Sequence, residues 1–210
     1  MFQIITNGLY RFCEWITKLA CLNLLWLMFT IAGLGVFGLF PSTTAMFTVT
    51  KKWLEEGEDV RLFKTFYHTF KEEFWRSNGL GIIITGISLI FYVDLKILTM
   101  MTDDAYYVGI PLLSLLIICS VILLYLFPVY VHYKGTYLQL FKNAFLISVA
   151  KPFHTFTLIM SVLGLSYIVF YHITIVLFFS GSLIALVMTG LCQKAFQSIE
   201  VAKSKYQHVS

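Results

Sequence analysis

Apolar residues in this chain gather into long, nearly uninterrupted blocks. Gly79 to Leu98, Tyr106 to Val131, Phe153 to Tyr171 and Ile173 to Cys192 each reach the roughly 20 residues that cross a hydrocarbon core of about 30 Å. The pattern predicts four spanning helices, the last two joined through His172 in a tight hairpin. Two other stretches are amphipathic. Over 61–75, Phe63, Phe66, Tyr67, Phe70 and Phe74 fall at i, i+3, i+4, i+7 and i+11, with Arg61, Lys64, His68, Lys71 and Glu72 largely elsewhere. That spacing predicts a helix lying along the membrane interface, preceded by a break at Gly57 and N-capped by Asp59. Over 136–149, Leu138, Phe141, Phe145 and Val149 share a face in the same way, and Pro152 marks a restart.

Residues 16–53 are apolar but interrupted by Gly33-Leu34-Gly35, Pro41 and a run of hydroxyls. Lysine and arginine positions choose between one crossing and two, because cytoplasmic loops carry the excess of these residues. A single crossing leaves Arg11, Lys18 and Lys96 outside; a hairpin turning at Gly33-Leu34-Gly35 leaves only Lys96 outside, of 15 basic residues. Trp15, Trp53 and snorkelling lysines make up for a stretch slightly short of two full crossings. The predicted fold is therefore all-α: a polytopic helical membrane bundle forming one domain over 1–210, with both termini cytoplasmic. Six crossings are preferred (about 16–34, 36–53, 79–98, 106–131, 153–171 and 173–192), with five as the rival, and two amphipathic cytoplasmic or interfacial helices complete the set.

Composition agrees with a membrane protein. The chain is 59% apolar and 12% charged with a mean hydropathy of +0.82, against about 45–50% and 25% in soluble domains. The net charge of +4 is scattered between apolar blocks, so it marks topology and excludes a nucleic-acid partner. Cys13, Cys21, Cys119 and Cys192 form no C-x-x-C pair and read as buried small apolar residues. The N-terminus is expected to stay attached: its apolar run starts only after Lys18, and at Leu19-Ala20-Cys21 the run lies on the wrong side for lipidation.

Candidate chemistry is sparse. Asp94 lies inside an apolar block and is the one candidate ion or proton site, although its place near the outer end of a span favours an interfacial acid. His132, His154 and His172 mark span ends without metal-ligand spacing, and His68 falls on a solvated helix face. Glu55, Glu56, Glu58 and Asp59 read as a charged turn, lacking the alternation of a calcium loop. No phosphate-binding glycine motif or nucleophile elbow occurs, so no catalytic residue, cofactor or metal is expected and the protein reads as a non-enzyme. Asn23, Thr30, Ser42, Thr43, Thr44 and Thr48 form a candidate polar intramembrane face, lining a solute path or, more simply, bonding helix to helix. Phe63, Phe66, Phe70, Lys71 and Phe74, with Phe141, Lys142 and Phe145, are candidates for contact with a partner or the lipid surface. Leu39-Phe40-Pro41 recurs as Leu126-Phe127-Pro128, and Phe70-Lys71-x-x-Phe74 as Phe141-Lys142-x-x-Phe145; chance accounts for the echo in so Leu- and Phe-rich a chain.

Asn23-x-x-Trp26, Phe40-Pro41-x-Thr43-x-Ala45-Met46, Lys52-Trp53, Phe66, Phe70-Lys71-x-x-Phe74 and Ser77-Asn78 together resemble the YesL-like family of small bacterial integral membrane proteins. The resemblance covers residues 8–80, and the later chain follows in layout and at Phe141-Lys142-Asn143-Ala144. It implies a link to sugar import, because members are often encoded near carbohydrate-uptake and polysaccharide-degradation genes in Gram-positive bacteria. It brings no catalytic residues. The expected partners are the lipid bilayer and a carbohydrate transporter component; the second reading is a bundle that itself conducts a small solute.

Overall fold

The computed structural model describes residues 2–57, 60–99, 105–171 and 173–207, with side chains over 8–57, 60–99, 107, 109–168 and 178–198. The described residues form eight α-helices and no strand: α1 (Phe2–Ala32), α2 (Val36–Glu56), α3 (Leu62–Glu72), α4 (Phe74–Leu98), α5 (Ala105–His132), α6 (Tyr137–Ala150), α7 (Pro152–Tyr171) and α8 (Ile173–Gln207). The predicted N-cap Asp59 and the hairpin residue His172 lie outside the described residues. α1, α4, α5 and α8 contain segments long and apolar enough to cross a membrane, and α6 with α7, bent by 101°, is a fifth candidate.

α2 is not among them, so six crossings are not shown. Pro41, Ser42, Thr44 to Phe47, Val49, Thr50 and Trp53 are all buried by α1, α3, α4, α5 and α8. A helix enclosed by protein carries hydroxyls and a proline that a lipid-facing helix would have to leave exposed to hydrocarbon. The amphipathic stretch 61–75 is likewise shorter as a helix than predicted. It ends at Glu72, Glu73 adopts a non-helical conformation, and Phe74 and Trp75 already belong to α4.

The turn between α1 and α2 forms where the glycines predict it. Gly35 N–H bonds to Thr30 O and Leu34 N–H to Ile31 O, at 2.9 and 3.0 Å, which is the hydrogen-bond pattern of a Schellman helix end. Leu34, at φ 62°, holds the left-handed position that glycine usually fills. Beyond the turn the two helices touch backbone to backbone: a side chain on Gly33 would collide with Gly38 Cα, and one on Gly38 with Thr30 O.

The start of α2 packs against the first turns of α4. Gly33, Leu34 and Phe37 share a groove with Phe70, Phe74, Trp75 and Gly79, while Phe40 covers Gly81. α4 and α5 run antiparallel, from Glu73 beside Tyr130 to Leu98 beside Gly109. The turn therefore lies at the end of α4 that is flanked by Lys71, Glu72, Glu73 and Arg76.

Two apolar cores meet in the same region. One joins Leu80, Tyr125, Leu126, Val129, Leu140 and Leu158; the other joins Leu22, Met46, Val49, Trp53 and Phe66. Buried positions on α4 stop at Gly81. Beyond it Leu89 and Ile90, with Ile110 and Ile117 on α5 and Leu163 on α7, face outward as lipid-facing spans do. The sequence echoes are not in register here: Phe70-Lys71 closes α3 whereas Phe141-Lys142 lies early in α6, and Pro41 opens α2 whereas Pro128 is near the end of α5.

Candidate functional site

The polar groups inside the bundle collect on the seams around α2. On α1, Asn23 is fully buried and its Oδ1 accepts from the backbone N–H of Gly181 and of Ser182 on α8, at 3.0 and 3.2 Å. One turn later Trp26 Nε1 donates to Thr43 Oγ1 on α2. These bonds join the first, second and last helices where apolar packing alone leaves their rotation free.

Pro41 has no N–H, so the carbonyl of Phe37, four residues earlier, has no helical donor. Asn78 Nδ2 supplies one at 2.9 Å and also donates to Phe74 O.

Toward the C-terminal end of α2, Thr50 and Thr189 bond through their hydroxyls at 3.1 Å. Next to them Lys51 Nζ reaches Val131 O, in the last turn of α5, at 3.4 Å and Glu55 at 3.8 Å, while Gln193 Nε2 donates to Glu55. A cation on the last carbonyls of a helix is favoured by the helix dipole. Lys51, His132, Thr189 and Gln193 surround a small cavity there, closed by Phe47, Pro128 and Phe196. His132 in turn lies against Tyr133 and Phe196, with ring centroids 4.7 Å away in each case.

A second polar junction ties the α3–α4 break to the α5–α6 connection. Tyr130 donates to Glu73 Oε2 at 2.6 Å, Arg76 lies over the Tyr130 ring and donates to Gly135 O, and Tyr137 donates to Arg76 O. The bend between α6 and α7 is held by Thr155, which donates to Ser148 O and Lys151 O and bonds Tyr125.

The candidate residues separate by environment. Thr30, Thr43 and Thr48 donate to backbone carbonyls of their own helices, whereas Ser42 Oγ and Thr44 Oγ1 are buried with no hydrogen-bond partner among the described residues. Of the aromatic set, Phe66 is 0% exposed and packs its ring on Phe29, so it presents no surface to a partner. The reason is that the apolar stripe of α3 packs on α1 and α2, where the sequence suggests a bare interfacial face. Phe63, Lys71, Lys142 and Phe145 are exposed, and Phe70, Phe74 and Phe141 are half-buried. Asp94 is half-buried near the end of α4. Burial of the cysteines holds for Cys192 alone; Cys13 and Cys21 are exposed and Cys119 is intermediate, on helices whose outer faces are apolar.

Sequence reasoning has Asn78 only within the family motif and Lys51 only as a topology signal, and it does not find the Glu73–Tyr130–Arg76 junction. Pro41 was the available signal, because a proline inside a helix requires an outside donor for one carbonyl. Nothing in the linear pattern names that donor.

Several residues of the motif block, Asn23, Trp26, Pro41, Thr43, Phe66, Ser77 and Asn78 among them, occupy these seams. A family model described as "Protein of unknown function, DUF624" matches residues 19–95. Uncharacterized protein YesL of Bacillus subtilis (strain 168) is 38% identical over 205 residues, 98% of this chain and 97% of its own. From the same organism, uncharacterized protein YteU is 38% identical over 83% of this chain and 79% of its own, and uncharacterized protein YesV 31% identical over 93% and 95%. No solved structure matches the chain. With near full-length identity of this order to YesL and the DUF624 match over α1 to α4, the chain belongs to the YesL-like, DUF624 family.

Proposed function

We propose that the protein is a non-enzymatic accessory component of a membrane transport system, linked to carbohydrate uptake and held in the cell membrane with both termini cytoplasmic. The observation that carries this reading is the gathering of packed core, charge and exposed aromatic surface at one end of the bundle. Phe63, Tyr67 and Trp75 are exposed there beside Arg61, Lys64 and Lys71, an aromatic and basic surface suited to a partner at the membrane interface. The sequence between α4 and α5 and between α7 and α8, residues 99–104 and 172, is too short to form a receptor domain. Copurification from native membranes in mild detergent is the test: a transporter component is expected with the tagged protein, and its absence counts against the proposal.

In the same proposal α1 and α2 form a hairpin whose turn and far end of α2 both stay on the basic side of the membrane, with α4, α5, α7 and α8 crossing fully. What supports it is the Asn78–Phe37 hydrogen bond and the groove that Gly33 and Leu34 share with Phe74 and Trp75, where a crossing pair would carry the turn to the level of Lys96. The hairpin still leaves Lys96 as the one basic residue on the far side, and it removes the need for two full crossings within residues 16–53. Val36→Cys in a background lacking the four native cysteines is then labelled by an impermeant maleimide in inverted vesicles and not in intact cells. The opposite pattern overturns the hairpin and restores six crossings.

A second reading, conduction of a small solute, is favoured by one observation: the buried, unpartnered hydroxyls of Ser42 and Thr44. Liposomes carrying the purified protein test it, and absence of flux for a panel of sugars disposes of it.

A further inference from the structure

Helix α6 is apolar on two sides. It buries Leu140, Ala144 and Ile147 in the core, yet Leu138 is 82% exposed and Phe145 and Val149 are exposed beside it. Leu138, Lys142, Phe145 and Val149 follow one another at i, i+4, i+7 and i+11, so Lys142 stands in the middle of an outward apolar stripe. Past the 101° bend, Phe153, 84% exposed, and Phe156 carry outward apolar surface into α7. A helix bent this far from a spanning helix lies along the interface, where the medium in contact with its outer stripe is the lipid leaflet.

Charge selects which lipid. Lys134, Lys142 and Lys151 stand before, within and after α6, and no Asp or Glu occurs from Ala105 to Ile199. By contrast α3, the other interfacial helix, has Glu72 and Glu73 at its end, and its His68 faces Glu72 at 2.9 Å. The basic surface of α3 is thus partly offset by its own Glu72, whereas α6 carries no acid and Glu73 approaches only the α5–α6 connection, through Tyr130.

We propose that α6 is a binding site for an anionic phospholipid, with acyl chains against Leu138, Phe145, Val149 and Phe153 and the phosphate headgroup at Lys142, while Lys134 and Lys151 add positive potential at the two ends of the helix. A lysine stem in an apolar stripe extends its ammonium to the headgroup layer, and each such charge contributes attraction to anionic lipid. The proposal rests on α7 being membrane-spanning.

The test uses the full-length protein in neutral detergent, titrated with phosphatidylglycerol or with phosphatidylcholine of the same acyl chains. Bound lipid is counted by native mass spectrometry and the thermal midpoint is recorded. Phosphatidylglycerol is expected to bind more tightly than phosphatidylcholine and to raise the midpoint further. Lys142→Gln lowers that preference about fivefold, and Lys134→Gln/Lys142→Gln/Lys151→Gln lowers it about a hundredfold. Arg61→Gln/Lys64→Gln/Lys71→Gln removes as much charge from α3 and retains the preference. Equal binding of the two lipids by the native protein overturns the site, as does equal loss from the α3 and α6 variants. Inorganic phosphate reproducing the shift on its own also overturns a lipid site. Unaltered phosphatidylcholine binding by the α6 variants shows that they are folded, and failure of the native protein to enter phosphatidylcholine vesicles defeats the membrane reading separately.

Discussion

Asn78 donates to the carbonyl of Phe37, the one carbonyl in α2 that Pro41 deprives of a helical donor. A substitution in one helix and the loss of an amide in another thereby become a single interaction. Asn78→Ala takes the donor from that part-buried carbonyl and is expected to destabilise the protein by about 1–3 kcal/mol in detergent unfolding. In a Pro41→Ala background the residue at 41 bonds the carbonyl itself, and the cost of Asn78→Ala falls by about 1 kcal/mol or more. An equal cost in both backgrounds rules out the coupling.

The α1–α2 turn gives a contrast among glycines and one leucine. Gly38→Ala puts a methyl into the backbone of Thr30, which has no side-chain end to move aside, and is expected to cost about 1–3 kcal/mol despite alanine's better helix propensity. Gly86→Ala, with nothing within 4 Å, is expected to be neutral or stabilising by up to about 1 kcal/mol. Leu34→Gly relieves a left-handed leucine and raises stability by a fraction of the roughly 1–2 kcal/mol strain. Thermal unfolding of the three variants checks the order; Gly38→Ala matching Gly86→Ala would mean that the helices do not approach closely.

Helix positions were largely legible because apolar blocks and breaks record them directly: α6 and the Gly33–Gly35 turn fall where the periodicity and glycines place them. The placement of α2 was not, since a helix buried in protein and one buried in lipid share an apolar pattern, and only neighbours distinguish them. Phe29 illustrates the same limit. In the sequence it is one apolar residue in a long block, yet its ring lies against Phe63, Phe66, Tyr67 and Phe70 and seats α3. The residues of the candidate polar face divide among several partners that spacing does not distinguish: Asn23 joins α8, Thr43 joins Trp26, and Thr30 and Thr48 bond to their own helices.

That seating separates two phenylalanines on one helix. Phe66→Ala removes a fully buried ring and is expected to cost about 3–5 kcal/mol, whereas Phe63→Ala, 61% exposed, changes stability little. If α3 carries a partner surface, Phe63→Ala weakens copurification of the partner while the protein unfolds at its native midpoint. Loss of stability in Phe63→Ala comparable to Phe66→Ala contradicts the packing of α3 described above.

The bend between α6 and α7 depends on one hydroxyl. Thr155 accepts from or donates to Tyr125 at 3.0 Å while it also reaches Ser148 O across the bend. Thr155→Val keeps the shape but strands the Tyr125 hydroxyl in the core, at an expected cost of about 1–3 kcal/mol. Tyr125→Phe removes the stranded group, so adding it to Thr155→Val recovers part of the loss, because two apolar surfaces of matching shape replace two polar partners. A double-mutant cycle by detergent unfolding measures this. If the two costs simply add, Thr155 acts through Ser148 and Lys151 alone, and the bend owes nothing to its contact with α5.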